Sequence, residues 1–468
     1  MAGFYNLGEA KIRPGAYFNV RKNGDEQSFG AVDGVVAALF KSSMGPVGKA
    51  TVLQAADGYA STFGEDGTTD VLREAFYGGA VKVIAVRVGN GGTSGSASLA
   101  CKTGTVKITT KYPSSAKFTV TVRGKLGDDS KKECIIYLND SVFEKVTFAA
   151  GENEVTALKN AFASSKNFEV TIADAAGTIT SVSQSAFTGG EDPKTTTADY
   201  SAAANEAEKY QFNTICVDTS DSDVHALIAA FMERIYLSGR FGAAVFAPNP
   251  DTTLADRQAA IASFDSEKVI APLNAKAKAG NLELKGYQVA AYLAGVIAAT
   301  PSSESVTHKV LSRYSELTEV LTNTEIEEAE EHGCLVLSVS SDDSVWLDNG
   351  INTLIHPDSN HDSGWKKIRR TKVRNEIMYR ANAAADALVG MVNNDVNGRA
   401  TIMAAIQGIL NDMVSEGKIQ YGNVTESTTI TANGDTCGFV IEVIDLDSAE
   451  HIYLNYFYQF STILNEAE

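Results

Sequence analysis

The sequence predicts a multidomain α/β protein: an α/β core, a small all-β domain inserted into that core, and a β-strand arm near each end. Three observations predict this fold class. Strand and helix patterns alternate along most of the 468 residues, which favours a parallel sheet with crossover helices. One internal stretch changes to Thr- and Val-rich strands separated by turns, which is typical of an all-β domain. Aromatic, alternating strands lie outside the α/β pattern near both termini.

The first predicted unit, residues 1–28, is an arm built around the strand KIRPGAYFNV. Pro14 cannot donate a ladder hydrogen bond, so it suits the start of an edge strand. The polar turn RKNGDEQ follows at once and leaves no hairpin partner. We therefore expect the strand to add to a sheet of a neighbouring copy. The residues expected to take part are Ile12, Ala16, Tyr17, Phe18 and Val20.

The first part of the core is predicted over residues 29–91. A buried strand in AVDGVVAALFKSS ends at the turn GPVG. A helix follows in TTDVLREAFYGGA, with a threonine cap and a Gly-Gly stop. The near-continuous apolar run VKVIAVRVG predicts a strand that is buried on both faces of a sheet.

Residues 92–195 are predicted to form the inserted all-β domain. It opens with GNGGTSGSAS, whose composition predicts a flexible linker, and it closes with a second linker, TGGEDPKTTTADYS. EVTALKNAFASS predicts one short helix inside it. The predicted strands are TVKITTKY, KFTVTVRG, CIIYLND, KVTFAA, FEVTIAD and TITSVSQSAF. Insertion at an exposed loop disturbs few core contacts.

The α/β pattern resumes over residues 196–350, the second part of the core. VAAYLAGVIAA, Val289 to Ala299, is the longest apolar run. A membrane span needs about 20 such residues, so we expect a buried core helix. The predicted strands are FNTICVD, FGAAVFAP, KVIAPL, ELTEVL and GCLVLSVS, and amphipathic helices separate most of them.

Residues 351–468 form the last predicted unit. WKKIRRTKVRNEIMYRANAAADALVGMV is expected to open as a strand and continue as a helix, and RATIMAAIQGILNDMVSEG predicts a second helix. Three strands follow: IQYGNVTEST, TCGFVIEVIDLD and HIYLNYFYQF. The last of these is the C-terminal arm, which we expect to be exchanged between subunits through Ile452, Tyr453, Asn455, Phe457 and Phe460.

Composition excludes several classes of function. The formal net charge of −18 argues against a nucleic-acid binder, since phosphate contacts need Lys and Arg. The five cysteines are scattered without a C-x-x-C pair, which favours a reduced compartment. The N-terminal MAGFYNLGEA lacks the pattern of a signal peptide. We therefore expect assembly in a cytoplasm, without membrane contact by this chain.

Motifs of catalysis are missing from the sequence. GNGGTSG lacks the Lys-Ser/Thr of a phosphate loop, no G-x-G-x-x-G opens a helix, and no G-x-S-x-G occurs. We accordingly predict no catalytic, cofactor-binding or metal-binding residues, and a protein that is not an enzyme.

A basic cluster, WKKIRRTKVR (Trp365–Arg374), stands out in this acidic chain. Two interpretations stay open at this point: the polar face of a strand and helix, or a docking patch for an acidic partner. The candidates for a tube or neighbour contact are Lys366, Lys367, Arg369, Arg370, Lys372 and Arg374.

Several segments in a fixed order resemble contractile tail sheath proteins. The resemblance covers nearly the whole chain except the insertion, and is closest to sheaths of tailed phages, defective prophages and phage-tail-like bacteriocins of Gram-positive type. The segments are RPG with its aromatic strand, SSMGPVGKA, LREAFYGGAVKVIAVRV, AAYLAGVIAATP, GINTLI, WKKIRRTKVRNEI, NGRATIMAAIQGILNDMVSEGKI and DLDSAEHIYLNYFY.

The resemblance implies a helical homo-oligomer of stacked hexameric rings around a tail tube, held by arms that add strands to neighbours' sheets. It implies tube contact through the C-terminal part, partnership with the tail tube, baseplate and tail terminator proteins, and contraction without nucleotide hydrolysis or a cofactor. We expect flexible joints at RKNGDEQ and at NVTESTTITANGD (Asn423–Asp435) to let the cores rotate. Two alternatives remain: a cytosolic α/β enzyme with a β insertion, and a non-contractile self-assembling filament or shell protein.

Overall fold

The first part of the core is a set of short elements around a buried strand. The structure, a computed structural model, describes residues 3–4, 17–18, 33–54, 58–359 and 361–458. Two-residue strands β1 (Gly3–Phe4) and β2 (Tyr17–Phe18) precede the core. The core then opens with β3 (Val35–Phe40), β4 (Ala50–Leu53), α1 (Ala60–Phe63), α2 (Asp70–Tyr77) and β5 (Lys82–Arg87).

The inserted domain is a sandwich of two four-stranded sheets with one helix. The sheet orders are β10-β9-β8-β13 and β11-β7-β6-β12. Alternate residues of the strands, such as Val120 and Val122, point inward and are fully buried. The elements are β6 (Ser96–Thr103), β7 (Thr105–Thr110), β8 (Phe118–Lys125), β9 (Asp128–Leu138), β10 (Ser141–Ala149), α3 (Glu154–Ala161), β11 (Phe168–Ile172), β12 (Ala176–Ile179) and β13 (Val182–Ala186).

Two segments, which we call the neck, join the insertion to the core and pair with each other. Antiparallel bridges hold residues 90–96 against residues 188–194. The prediction of a flexible Gly/Ser linker is therefore wrong, because each segment finds its partner far along the chain. Glycine is required here for packing: a Cβ on Gly190 would lie 1.9 Å from the carbonyl oxygen of Ser114.

Arg87, the last residue of β5, fastens the neck to the core. Its side chain is fully buried, and Nη1 donates to the carbonyl oxygens of Gly45 at 2.8 Å and Pro113 at 2.9 Å. Nη2 lies 3.5 Å from the carboxylate of Asp192, on the returning segment. Burial lowers the pKa of Arg87 to about 10, so the guanidinium stays charged at neutral pH. One side chain thus binds the core, the insertion and the neck.

The second part of the core supplies the remaining strands and helices around the central sheet. Their bounds are α4 (Thr197–Ala207), β14 (Thr214–Val217), α5 (Ser222–Leu237), β15 (Ala243–Val245), α6 (Leu254–Ala262), β16 (Val269–Ile270), β17 (Lys276–Ala279), β18 (Leu282–Lys285), α7 (Tyr287–Ala299), β19 (Glu316–Leu317), α8 (Asn323–Glu331), β20 (Leu337–Val339) and β21 (Val345–Leu347).

The central sheet has the order β16-β15-β14-β3-β5-β4. Its strands are parallel except that β4 runs antiparallel to β5. The odd-numbered residues of β3 pack against α4 and α5, and the even-numbered residues pack against α2 and α7. Both faces of the sheet are thus covered, as the continuous apolar strands predict.

Helix α7 is the buried helix that the sequence predicts. It packs closely on α2, since a Cβ on Gly295 would lie 2.2 Å from the carbonyl oxygen of Ala75. Only glycine permits this approach of the two backbones. None of the helices in the described part of the chain has the length and apolarity to cross a membrane.

The C-terminal unit contains a 3₁₀ turn (Ser363–Lys366), α9 (Ile368–Asp386), α10 (Val396–Ser415), β22 (Ile419–Glu426) and β23 (Phe439–Asp445). The strand predicted at the start of WKKIRRTKVR is wrong, because that stretch forms the 3₁₀ turn and the first turns of α9. Val373, Ile377, Ala381 and Ala384 recur at helical spacing and are buried against α10 and β22, which fixes the helix.

The joint predicted at NVTESTTITANGD is also wrong. Its first residues belong to β22, and the rest form the loop of the β22–β23 hairpin, closed by a hydrogen bond from Ser427 N–H to the carbonyl oxygen of Gly438 at 2.8 Å. The chain continues directly into β23 after this loop, and the other predicted joint, RKNGDEQ, lies outside the described residues.

His225 gives the core a pH dependence that can be measured. Its ring is 3% exposed, stacks on Phe246 at 4.2 Å between ring centroids, and places Nε2 2.9 Å from the carbonyl oxygen of Thr219. Burial lowers the pKa of His225 to about 4. Below about pH 6.5 His225 is protonated in the unfolded chain but stays neutral in the folded chain. The free energy of unfolding therefore falls as the pH is lowered, until His225 is protonated in the folded chain as well, at about pH 4.

The free energy of unfolding of the wild type should fall between pH 7.5 and pH 5. We expect this fall to be smaller by about 2 kcal/mol in His225→Gln. Urea denaturation at the two pH values measures this. The matched control is His332→Gln, since His332 is exposed. An equal pH dependence in the wild type and the His225 variant would contradict the expectation.

Candidate functional site

The segment after Glu450 leaves its apolar side chains uncovered. Residues 451–458, called here the arm segment, are all exposed and form no strand in the described part of the chain. Their large apolar side chains are 64–90% exposed: Ile452, Tyr453, Leu454, Tyr456, Phe457 and Tyr458. Of the residues predicted for the C-terminal arm, Asn455 is exposed as well, and Phe460 lies outside the described residues. Such a segment is an aggregation liability unless a partner covers it.

Two residues of the predicted N-terminal strand pair with another segment of the same chain. The backbone of Tyr17 and Phe18 pairs in parallel with Gly3 and Phe4. The other predicted arm residues, Ile12, Ala16 and Val20, lie outside the described residues. Among the described residues β2 pairs with β1 alone, so we expect its other edge to be available to another strand.

An open groove lies beside β23, and we call it the edge groove. Among the described residues, β23 pairs with β22 and has no strand on its other side. The groove has a volume of about 500 Å³ and lies between α9 and β23. Val373, Ile377 and Met378 line it from the helix, and Ile441 and Val443 line it from the strand. An apolar groove next to an unpaired strand edge is the geometry that accepts an added strand.

The basic cluster binds groups of its own chain. Its side chains are partly or fully buried, and Arg374 also stacks 3.4 Å above the ring of Trp365. The acceptors are the carbonyl oxygens of Ile297, Thr300, Ser303 and Glu330, the side-chain oxygen of Asn349, and the carboxylates of Glu267, Asp362, Asp445 and Glu450. The helix-face interpretation accounts for these contacts, whereas contact of Lys366, Lys367, Arg369, Arg370, Lys372 and Arg374 with a tube or neighbour stays a prediction.

Lys372 illustrates how the cluster stabilises the fold. Its Nζ donates to the carbonyl oxygens of Ile297, at 2.6 Å, and Thr300. These carbonyls lie at the C-terminal end of α7, where a cation is favourable. Burial lowers the pKa of Lys372 to about 8. The side chain therefore ties α9 to the buried core helix.

In the central sheet, side chains of the chain itself fill the crevice in which doubly wound sheets bind their ligands. Strand order reverses between β3 and β14, and ligands of such sheets bind at the carboxyl ends of the strands there. Asp218, 2% exposed, occupies this position and accepts hydrogen bonds from the hydroxyls of Tyr200 and Thr68 and from Lys41 N–H at 2.9 Å. Burial raises the pKa of Tyr200, so its hydroxyl stays protonated and donates. In the described residues, no group of three His, Cys, Asp or Glu side chains is placed to hold a metal ion.

The architecture defines a class: it is the fold of tail sheath proteins. The crystal structure of the sheath tail protein from Desulfitobacterium hafniense has a TM-score of 0.69 and 20% identity, over 92% of this chain and 100% of that chain. The helical sheath of the anti-feeding prophage in its contracted state has a TM-score of 0.55 and 13% identity, over 96% of this chain and 100% of that chain.

Residues 193–353 match the family of the phage tail sheath protein central domain. The uncharacterized protein YqbK of Bacillus subtilis (strain 168) is 24% identical over 481 residues, 97% of this chain and 98% of that protein. The resemblance to the contractile tail sheath family is thus confirmed, and with it the multidomain α/β fold. Residues 193–353 thus carry the sheath family's central domain, and the chain as a whole has the fold of tail sheath proteins.

Proposed function

We propose that this chain is the repeating subunit of a contractile tail sheath, and that it assembles as stacked hexameric rings around a tail tube. One observation carries the proposal: the chain exposes a six-residue apolar set on the arm segment and also carries an open edge groove beside β23. A chain that bears both the strand and the acceptor makes a heterologous contact, and repeated heterologous contacts build helical polymers.

In the proposed assembly, the arm segment of one copy adds to β23 of a neighbour. Main-chain hydrogen bonds hold the two copies together while side chains fill the edge groove. The N-terminal strand, through Ile12, Ala16, Tyr17, Phe18 and Val20, joins a second neighbour. The connections persist while the cores change their mutual packing from a looser to a tighter arrangement.

Contraction in this proposal needs no nucleotide hydrolysis. The free energy comes from contacts between cores that are better buried and better matched in charge after contraction. The crevice at Asp218, occupied by the chain's own hydroxyls, supports a protein that is not an enzyme. Each ring that contracts favours contraction of the next, and the tube is driven through a bacterial envelope.

The proposed units keep the predicted bounds: an N-terminal arm (1–28), two core parts (29–91 and 196–350), the insertion (92–195) and a C-terminal unit with tube-facing helices (351–468). The proposed partners are the tail tube, baseplate and tail terminator proteins. The net charge of −18 supports a subunit without nucleic-acid contact. The scattered cysteines support assembly in a reduced compartment, the host cytoplasm, and no membrane contact by this subunit is proposed.

Negative-stain electron microscopy of the purified full chain tests the proposal. We expect striated helical tubes whose diameter increases and whose length decreases after brief exposure to mild denaturant. Discrete particles at all concentrations would favour the cytosolic enzyme. Filaments that keep one diameter under every condition would favour the non-contractile filament. Either result would overturn the proposal.

A further inference from the structure

The acidic segment that leads from β23 to the arm segment forms ion pairs with the basic cluster at both of its ends. It reads DLDSAE, from Asp445, the last residue of β23, to Glu450. Beyond it every described residue is exposed, and before it β23 is paired. The segment is therefore the root from which the C-terminal arm leaves the body.

Glu450 lies in a built carboxylate site on the core. Its side chain is 9% exposed. Oε1 accepts hydrogen bonds from the hydroxyls of Ser305 at 2.7 Å and Thr307 at 2.9 Å, and Oε2 pairs with Nζ of Lys367. Thr307 is itself fixed, because its hydroxyl oxygen accepts from Gly350 N–H at 2.8 Å. Three donors thus converge on one carboxylate at the junction of the core and α9.

The other end of the root is held by the same stretch of basic residues. Nε of Arg370 donates to Oδ2 of Asp445 at 2.6 Å, and its Nη1 lies 3.3 Å from Asp362. Lys367 and Arg370 are about one helical turn apart, roughly 4.5 Å along the axis of α9. The two acids are five residues apart, a distance of up to about 17 Å if extended. The root therefore runs past the start of α9 between two fixed points.

We propose that the Lys367–Glu450 and Arg370–Asp445 pairs form a clasp that sets the point and direction in which the arm segment leaves the subunit. The sequence leaves open whether the basic cluster is a docking patch for an acidic partner. In this proposal that acidic partner is the root of the same chain's arm. The proposal rests on the proposed function, because an aimed arm matters only if a neighbour receives it.

The clasp acts by restricting the volume that the arm can search. Held at Glu450, the arm segment starts at His451, beside the core. Without the clasp it starts at the end of β23 and gains five more mobile residues, which add up to about 17 Å of reach in every direction. A wider search lowers the effective concentration of the arm at the correct acceptor. It also permits pairing with wrong neighbours.

Burial alone would raise the pKa of Glu450, but the hydrogen bonds from Lys367, Ser305 and Thr307 outweigh burial and lower that pKa. The carboxylate is therefore charged at neutral pH, and Lys367 is its cationic partner. Removal of Lys367 leaves a nearly buried carboxylate without its counter-charge, which favours release of the root.

The test uses Lys367→Met and Glu450→Gln in the full chain, with Lys309→Met as the matched control. Lys309 lies two residues after Thr307 in the sequence, but its pair with Glu304 is exposed and 4.0 Å long. The first measurement is cleavage by the protease Asp-N before Asp447, followed by mass spectrometry under conditions in which the protein is not assembled. Because hydrogen bonds to charged groups contribute about 1.5–3 kcal/mol, we expect both clasp variants to be cleaved about tenfold faster. The control is expected to match the wild type.

The second measurement is the regularity of the polymers by electron microscopy. We expect the clasp variants to give short or irregular polymers, and Lys367→Arg to restore regular ones. Unchanged cleavage in both clasp variants would overturn the clasp. Faster cleavage with normal polymers would overturn its role in aiming the arm while leaving strand exchange intact. Failure of the proposed function is seen separately, as normal polymers from a chain without the arm segment.

Discussion

Deletion of residues 451–468 is expected to leave a folded protein that no longer polymerises. The deleted stretch contains the six exposed large apolar side chains of the arm segment. Burial of one such side chain contributes roughly 1.5–3 kcal/mol, and each 1.4 kcal/mol changes an equilibrium about tenfold. We therefore expect subunit association to weaken by more than about a thousandfold. Sedimentation velocity measures the polymer fraction, and circular dichroism verifies the fold.

The matched control is Leu126→Ser. Leu126 is 98% exposed on the inserted domain, so its loss removes an exposed apolar side chain without touching either arm. We expect this variant to polymerise normally. Deletion of residues 1–20 is expected to act like the C-terminal deletion. Full-length contractile tubes from either truncated chain would refute the role of that arm.

Glu376→Gln is expected to destabilise the subunit by roughly 1.5–3 kcal/mol, because it removes the more buried of the two carboxylates, Glu376 and Glu416, that pair with Lys418 and Arg380. Oε1 of Glu376 accepts from Nζ of Lys418 at 2.7 Å and from Nη1 of Arg380 at 3.2 Å, and Oε2 accepts from the hydroxyl of Ser302. The side chains of all three ionic partners are at most 11% exposed. Urea denaturation at neutral pH measures the change.

Glu327→Gln is the control, since Glu327 lies on the exposed face of α8, and a change within about 0.5 kcal/mol is expected. The double variant Glu376→Gln, Lys418→Met should recover part of the loss, because it also removes one of the two cations that lose this carboxylate. Equal stability of the Glu376 variant and the wild type would show that the two cations do not depend on this carboxylate.

The sequence predicts those parts of the fold that local patterns determine. The apolar runs of β3 and β5 and the apolar run Val289–Ala299 of α7 indicate a sheet and a helix buried in one core, and the structure has them there. Thr- and Val-rich strands predict an all-β insertion, and the structure has two four-stranded sheets there; the sequence does not predict that these sheets form a sandwich. These patterns repeat at the period of one element, so they can be recognised without knowledge of the partner.

Contacts between distant residues account for the errors. The glycines of residues 89–98 have the composition of a mobile linker, but their strand partners lie about a hundred residues later, at 188–194. The polar stretch before β23 has the composition of a joint, but it turns a hairpin. The sequence of the basic cluster does not indicate that Asp445 and Glu450 are among its acceptors. Arg370 and Asp445 are 75 residues apart and Lys367 and Glu450 are 83 residues apart, and pairing over such separations leaves no local sequence pattern.

The neck has a mechanical consequence for any load on the inserted domain. Two antiparallel segments leave the core side by side, bridged to each other at three positions. A pull on the insertion is therefore shared between both segments, and the bridges keep the two segments in register. Through Arg87, which joins the neck to the end of β5, the force reaches the sheet at a strand that is paired on both sides, with β3 and β4. We therefore expect the insertion to transmit a load to the core sheet instead of moving on a single tether.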